Sequence, residues 1–390
     1  MILTPPNFPG RIRTDGSNDF AYDTMAARVP RTLREIQERN PDLPPPIQDA
    51  LTQLREAIAG NAPIAMIDPL APDYADWLPA YDARMGLTWH NVDWFFAETF
   101  YYRQLIACTR WYENRRDPFT PYKREEYARD THWELLARTL ENGQAGDVSL
   151  EDRLMEALNA ALWGNRIDLS FAPSLKHGTT TSDDDLLVDD RADAVQQMLA
   201  GQGAVHIVAD NAGSELTMDL ALTDLLLTHS IAPVVLHVKA HPTFVSDAIT
   251  DDVWRFVDLL DGRGGDFAAL GERLRAALED GRLRLTWHRF WNSSLSMWEM
   301  PPHLLAAFRS ARLVIVKGDA NYRRLMGDAL WPAETPFAEV LGFFPAPLLA
   351  LRVMKSDPLA GLPVGMADQL DQIDAEWRIN GKRGVMQFKR

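Results

Sequence analysis

Carboxylate, amide and ammonium side chains recur just past short apolar runs in the second half of this chain. Val205-His206-Ile207-Val208-Ala209 is followed by Asp210-Asn211-Ala212-Gly213-Ser214-Glu215. Asp and Asn supply hard oxygen ligands of the kind Mg²⁺ and Mn²⁺ prefer. A helix starting there would add backbone N–H groups facing the same spot. After the run 234–238 come Lys239 and a further carboxylate, Asp247. After 313–316 comes Lys317-Gly318-Asp319-Ala320-Asn321-Tyr322-Arg323, a mixture that suits phosphate oxygens and sugar hydroxyls at once. After 349–354 comes Lys355, a counter-charge for phosphate. Each feature alone has a plainer reading. Asp-Asn is a common turn or helix-cap pair, and a lysine past a strand is usually solvated. Recurrence at four of five expected strand ends is what points to a metal-plus-phosphate site.

The elements that must position these residues can be read from texture. Strand-length apolar runs lie at 204–209, 233–238, 283–287, 313–316 and 348–354. Helical spacing lies between them near 191–200, at 215–229, at 251–260 and at 270–279. The 215–229 segment is apolar nearly all round, which predicts a buried helix. The segment 261–266, with Gly262-Arg263-Gly264-Gly265, reads as a flexible loop. Alternating strands and helices predict βαβ units, and ligands of such sheets sit beyond the carboxyl ends of the strands. Before residue 165 the pattern is helical, at 31–39, 47–59, 94–112, 132–142 and 150–163, after a Pro- and Gly-containing lead-in over 1–30 expected to be extended. The expected fold class is α/β: an N-terminal helical region (1–165), then a three-layer α/β/α, Rossmann-like catalytic domain with a mainly parallel sheet (166–390).

Bulk properties narrow the function classes. Hydrophobic residues make up 46% and charged residues 24%, as in a soluble globular protein. The formal charge of −15 argues against nucleic acid as a partner. Cys108 stands alone, which excludes an intramolecular disulfide and Cys-type zinc sites; it reads as a small buried apolar residue. No signal peptide is apparent, and no apolar stretch approaches the ~20 residues of a membrane span, so the expected location is the cytoplasm.

Several of these stretches, in order, resemble motifs of the damage-control phosphatases. They are 210–215, Pro242-Thr243-Phe244-Val245-Ser246-Asp247, Trp298-Glu299-Met300-Pro301 and 317–323. Trp163-Gly164-Asn165-Arg166-Ile167-Asp168-Leu169-Ser170 resembles the sugar-phosphate phosphatase branch, once described as acidic-residue protein methyltransferases. The resemblance implies metal-dependent hydrolysis of small phosphorylated metabolites, such as fructose 1-phosphate. It implies a divalent metal, usually Mn²⁺ with Mg²⁺, Co²⁺ or Ni²⁺ tolerated. By motif matching, Asp210, Asn211 and Asp247 would be the ligands and the catalytic set. Glu215, Asp319, Ala320, Asn321, Tyr322 and Arg323 would line the substrate side, and Lys355 would hold the phosphate. Ala320 stands where a larger aliphatic residue is common. The stretch 288–296 departs from the aromatic-rich, Thr/Pro-containing pattern of the branch, which bears on which sugar or acyl group fits.

The expected nucleophile is metal-activated water, with attack by Asp210 as the alternative. Other candidates have a bland reading beside the sharp one. His237, Lys239 and His241 alternate, which would put both imidazoles on one face for a transition metal; packing or hydrogen bonding is the favoured reading. Asp183-Asp184-Asp185 and Asp189-Asp190 read as a solvated acidic loop and helix N-terminus rather than a metal cluster. Trp94, Phe95, Phe96, Phe100, Tyr101 and Tyr102 read as helical core, with Arg103 a weak candidate for the cleft. Methyl transfer from S-adenosylmethionine to protein carboxylates is the runner-up function, though no G-x-G turn follows an early strand. A non-enzymatic metabolite-binding protein is the third.

Overall fold

The computed structural model describes residues 4–144, 148–164 and 185–390. Among these residues seven strands form one sheet: β1 (Leu186–Asp189), β2 (Val205–Val208), β3 (Val234–Val238), β4 (Leu283–Trp287), β5 (Leu313–Lys317), β6 (Leu348–Val353) and β7 (Gly384–Lys389). Their order is β1-β7-β6-β5-β2-β3-β4. The five strands from β6 to β4 are parallel, and they are the five runs expected from the sequence. β7 is antiparallel to β6 and parallel to β1, so two reversed strands close one side. The central strands β2, β3 and β5 are buried along their whole length, which is why their sequences are continuous apolar runs rather than alternating ones.

Helices cover both faces. One face carries Arg191–Ala200, Ser214–Thr228, Thr250–Asp261 and Gly265–Asp280 together with two helices from earlier in the chain, Asp130–Gln144 and Leu150–Trp163. Leu216, Leu220 and Leu226 pack there against Ile207, Leu236 and Leu158 in one cluster. The Ser214–Thr228 helix is buried nearly all round, as its composition predicts. The other face carries Pro302–Phe308, Asp319–Met326 and Met366–Ile373 over Val208, Val314, Leu348 and Ala350. A third core, built from residues 12 to 119, belongs to the N-terminal helices.

Two local expectations change. The lead-in is helical from Asp19, because Ala21, Met25, Val29 and Leu33 continue one buried stripe through Asp19–Asp23 and a π-helical turn into Val29–Arg39. The segment 261–266 is not loose: one helix ends at Asp261, the next begins at Gly265, and Arg263 lies 3.7 Å over the Trp133 ring. Among the described residues no helix is long and apolar enough to cross a membrane.

Candidate active site

The carboxyl ends of β2 and β3 are joined by backbone contacts beyond the sheet. Asn211 and Asp247 form an isolated antiparallel bridge. Ala248 N donates to Asp210 O at 2.7 Å, and Ala212 N donates to Ser246 O at 2.6 Å. The Asp210-Asn211 turn and the Asp247 turn are therefore neighbours, and both are buried. The turn before Asp247 is forced: Phe244 and Val245 have φ of 45° and 67°, and Ser246 N donates back to Phe244 O at 2.8 Å. A β-branched residue in that region is strained.

Side chains complete the cluster. Asn211 Nδ2 donates to Asp210 Oδ2 and to Glu215 Oε1, both at 3.0 Å, and Asn211 Oδ1 accepts from Ser246 Oγ at 2.6 Å. Lys239 Nζ donates to Asn321 Oδ1 at 3.0 Å and faces Asp247 Oδ2 at 3.3 Å as an ion pair, out of line for a hydrogen bond. Asp210 Oδ1 and Asp247 Oδ2 are buried with no hydrogen-bond partner. Burial, then the charges of Asp247 and Glu215, push the Asp210 carboxyl well above its ordinary range. Burial pushes Asp247 up to about 6 against the opposing charge of Lys239. These are the marks of a site short of positive charge.

That shortage tests the fit of a divalent ion. Among the described residues no group of three or more His, Cys, Asp and Glu side chains is arranged to hold a metal. The donor set on offer is two carboxylates and one amide oxygen, which is hard-cation chemistry and fits. Close packing supports it: Gly318, at φ 82°, lies so near that a Cβ would stand 1.9 Å from Asp210 Oδ2. Only glycine lets the β5 loop approach the carboxylate this closely.

The remaining expected residues divide. Lys355 is exposed, and its charge acts on Asp210. Asp319 accepts from Arg352 Nε at 2.8 Å, Ser356 Oγ at 2.7 Å and Lys355 N at 3.2 Å, so it braces the loop that carries Lys355. Burial raises its pKa, but Arg352 and Arg323 outweigh this and hold it below the usual range. Ala320 is half-buried beside it. Asn321 uses Nδ2 on Ala209 O (3.1 Å) and Lys317 O (2.8 Å), so both ends of the amide are occupied. Tyr322 turns the other way: its hydroxyl donates to Gln387 Oε1 at 2.7 Å in the core of the opposite face. Arg323 is buried between Glu98 (2.5 Å) and Asp328 (2.7 Å) and lies 3.5 Å over the Trp94 ring.

Some polar residues near the site gave no local signal. The first N–H groups of the Ser214–Thr228 helix are not free. Gly213 N donates to Tyr127 Oη and Ser214 N to Glu126 Oε2, both at 3.1 Å. Lys317 donates to Asp219 Oδ1 at 2.8 Å and Ala161 O at 2.7 Å, a buried pair beneath Glu215 and Asp210. The alternating histidines do not converge. His237 Nε2 meets His206 Nδ1 at 2.9 Å in the core, while His241 is held by Asn292. Arg103 pairs with buried Asp73 at 2.6 Å instead of reaching the cleft. Cys108 is half-buried, and burial pushes its thiol up to about 11, away from nucleophilic use. Asp185 pairs with Arg383, and Asp190 accepts from Phe388 N; Asp183, Asp184 and 165–170 lie outside the described residues.

Comparison with known proteins is consistent along the whole chain. Residues 22–370 match the model of the damage-control phosphatase ARMT1-like domain. Damage-control phosphatase ARMT1 of Danio rerio is 27% identical over 97% of this chain and 97% of its own length. The Homo sapiens protein of that name is 26% identical over 100% and 99%, and that of Bos taurus 29% over 94% and 92%. Among solved structures, a DUF89 family protein from Pyrococcus horikoshii superposes with a TM-score of 0.51 at 16% identity, covering 96% of this chain and 99% of that one. This last likeness is one of fold.

Proposed function

Because the chain belongs to the family of the damage-control phosphatase ARMT1-like domain, we propose that Asp210, Asn211 and Asp247 hold its divalent ion and that its substrates are sugar phosphates. The family's activity is phosphate-monoester hydrolysis with a divalent metal, acting on small phosphorylated metabolites. The observation that carries the residue assignment is the pair of buried oxygens without a hydrogen-bond partner on two bridged loops, Asp210 Oδ1 and Asp247 Oδ2, the second faced by the Lys239 ammonium. Mn²⁺ is the ion we assign. Bound there, such an ion would supply polarisation of the phosphoryl group and an offset to its charge.

The chain's own residues do the rest. Lys239 sets one buried ammonium beside Asp247, and Asn321 fixes that ammonium by accepting a hydrogen bond from it. Lys355 offers an exposed ammonium to the phosphate oxygens, and Asp319 with Arg352 and Ser356 fixes its loop. In this reading Glu215 and Ala320, in the first turn of the Asp319–Met326 helix, would line the sugar side. Water is the nucleophile in this reading. Its oxygen forms the new P–O bond, the bond to the sugar oxygen breaks, and a proton passes to that leaving oxygen. A phosphoryl group trapped on Asp210 would overturn this step. Fructose 1-phosphate is the proposed representative substrate.

The test is phosphate release from p-nitrophenyl phosphate and a sugar-phosphate panel, using metal-stripped protein with single ions added back. Metal-restored release that Asp247→Ala abolishes supports the reading and orders the substrates. Release that survives in Asp247→Ala removes Asp247 from the ligand set.

A further inference from the structure

The short helix Thr120–Tyr127 belongs to the N-terminal half, yet it touches both candidate ligand loops. Lys123 Nζ donates to Asp247 O at 3.1 Å, while also bound to Asp117 Oδ2 at 2.9 Å and Asp252 Oδ2 at 2.6 Å. Glu126 and Tyr127, three and four positions on, take the N–H groups of Ser214 and Gly213 just beyond Asp210-Asn211. Positions i, i+3 and i+4 share one helix face, so a single face addresses both turns. Gly213, at φ 74°, is packed so tightly here that a Cβ would lie 1.8 Å from Glu126 Oε2.

A second helix of the same half acts on the strained turn. Phe244 stacks on Phe95 with centroids 6.5 Å apart and tilts over Tyr102 at 5.0 Å. Both rings come from the helix Trp94–Cys108. A conformation such as that of Phe244 and Val245 persists only where its surroundings over-determine it. The Asp247 turn is therefore held in shape from outside the sheet.

We propose that the Thr120–Tyr127 helix is a clamp that sets the spacing between the two ligand-bearing turns. Lys123, Glu126 and Tyr127 are then positioning residues for the divalent ion. The inference rests on the reading of Asp210, Asn211 and Asp247 as its ligands. Metal ligands must be held to within about 0.5 Å of productive geometry. Partners that orient ligands from outside cost about 10–100-fold in affinity when removed.

The decisive comparison uses the whole, metal-stripped chain. Mn²⁺ binding is measured calorimetrically for the parent, for Glu126→Ala/Tyr127→Phe, and for Asp247→Asn, with melting curves to verify folding. Lys123 is left in place because its removal would strand Asp117 and Asp252 as buried unpaired charges. Backbone hydrogen exchange at 209–214 and 243–248 is read in the absence of metal. The double variant should melt cooperatively, bind Mn²⁺ about tenfold more weakly and exchange faster in both turns. Its phosphate release should recover at excess Mn²⁺, which a merely structural lesion would not show. A folded double variant with parental Mn²⁺ affinity and exchange overturns the clamp. If that happens while Asp247→Asn loses binding, the ligand assignment stands and the clamp alone fails. If Asp247→Asn also binds as the parent does, the ligand assignment fails and takes the clamp with it.

Discussion

Lys239 Nζ faces Asp247 Oδ2 at 3.3 Å, so a buried ammonium already stands against one of the proposed metal ligands. Its charge also acts on Asp210, which stands in the same cluster with Glu215. Lys239→Met should therefore lower phosphate release by about tenfold or more at saturating metal, the cost expected when a charge-stabilising group is lost from a dry site. Unchanged kcat in a folded variant would restrict Lys239 to packing.

Gly318 tolerates no side chain. A Cβ there would overlap Asp210 Oδ2, and φ 82° penalises any L residue. Gly318→Ala should cost about 1–3 kcal/mol in urea unfolding and reduce activity more than tenfold, because Asp210 must move. Normal kinetics in Gly318→Ala would mean that the position of Asp210 is not critical.

Arg323 separates a structural role from a binding one. Its guanidinium pairs with Glu98 and Asp328, both buried, and so ties the Asp319–Met326 helix to the N-terminal helices. Arg323→Ala should cost about 3–5 kcal/mol by denaturant unfolding. A variant of parental stability with a raised KM would instead make Arg323 a substrate contact.

Lys355 is exposed, and its removal should leave stability within about 0.5 kcal/mol. Lys355→Ala should raise KM for a sugar phosphate several-fold, and added salt should shrink the difference between parent and variant. A KM equal to that of the parent at low salt would exclude contact with phosphate.

Buried histidines give the fold an acid limit. Burial lowers His206 to about 4 and His237 to about 3, from an ordinary value of 6.5. A histidine depressed in the folded state favours folding fully above its unfolded pKa, and that contribution is lost as pH falls through the folded value. Tm should fall as pH drops from about 6.5 towards 4. The double variant His206→Leu/His237→Leu should flatten this slope, whereas an unchanged slope would place the acid limit elsewhere.

The sheet and its polar strand ends were legible because each signal is local. Val205–Val208 and Leu313–Lys317 are apolar runs of strand length, and Asp210, Asp247 and Lys355 follow strands at once or within one loop. β1 and β7 escaped notice for physical reasons. β1 has four residues, and β7 contains Gly384 and Gln387, whose burial depends on neighbours far away in the chain. Tyr322 and Arg323 were named as site residues from their motif, but adjacent residues on a helix point apart, and only the packed fold reveals which way each turns. Lys123, Glu126 and Tyr127 sit in Pro121-Tyr122-Lys123-Arg124-Glu125-Glu126-Tyr127, a short charged stretch between the expected helices 94–112 and 132–142 that carries no expected element of its own. Their partners in the two ligand-bearing turns lie more than eighty positions away, beyond the reach of any local pattern.

The place of β7 between β6 and β1 has a kinetic consequence. Among the described residues β1 has no other strand to lie against, and Asp185 beside it waits for Arg383, 198 positions further along. While the ribosome is making the intervening residues, this margin of the sheet has no template. Closing so long a loop carries an entropic delay. The five parallel strands can assemble beforehand, leaving an open hydrogen-bonding rim on β6. Pulse-labelled exchange during refolding should find the amides of Gly384–Lys389 among the last to gain protection, and early protection there would contradict this order.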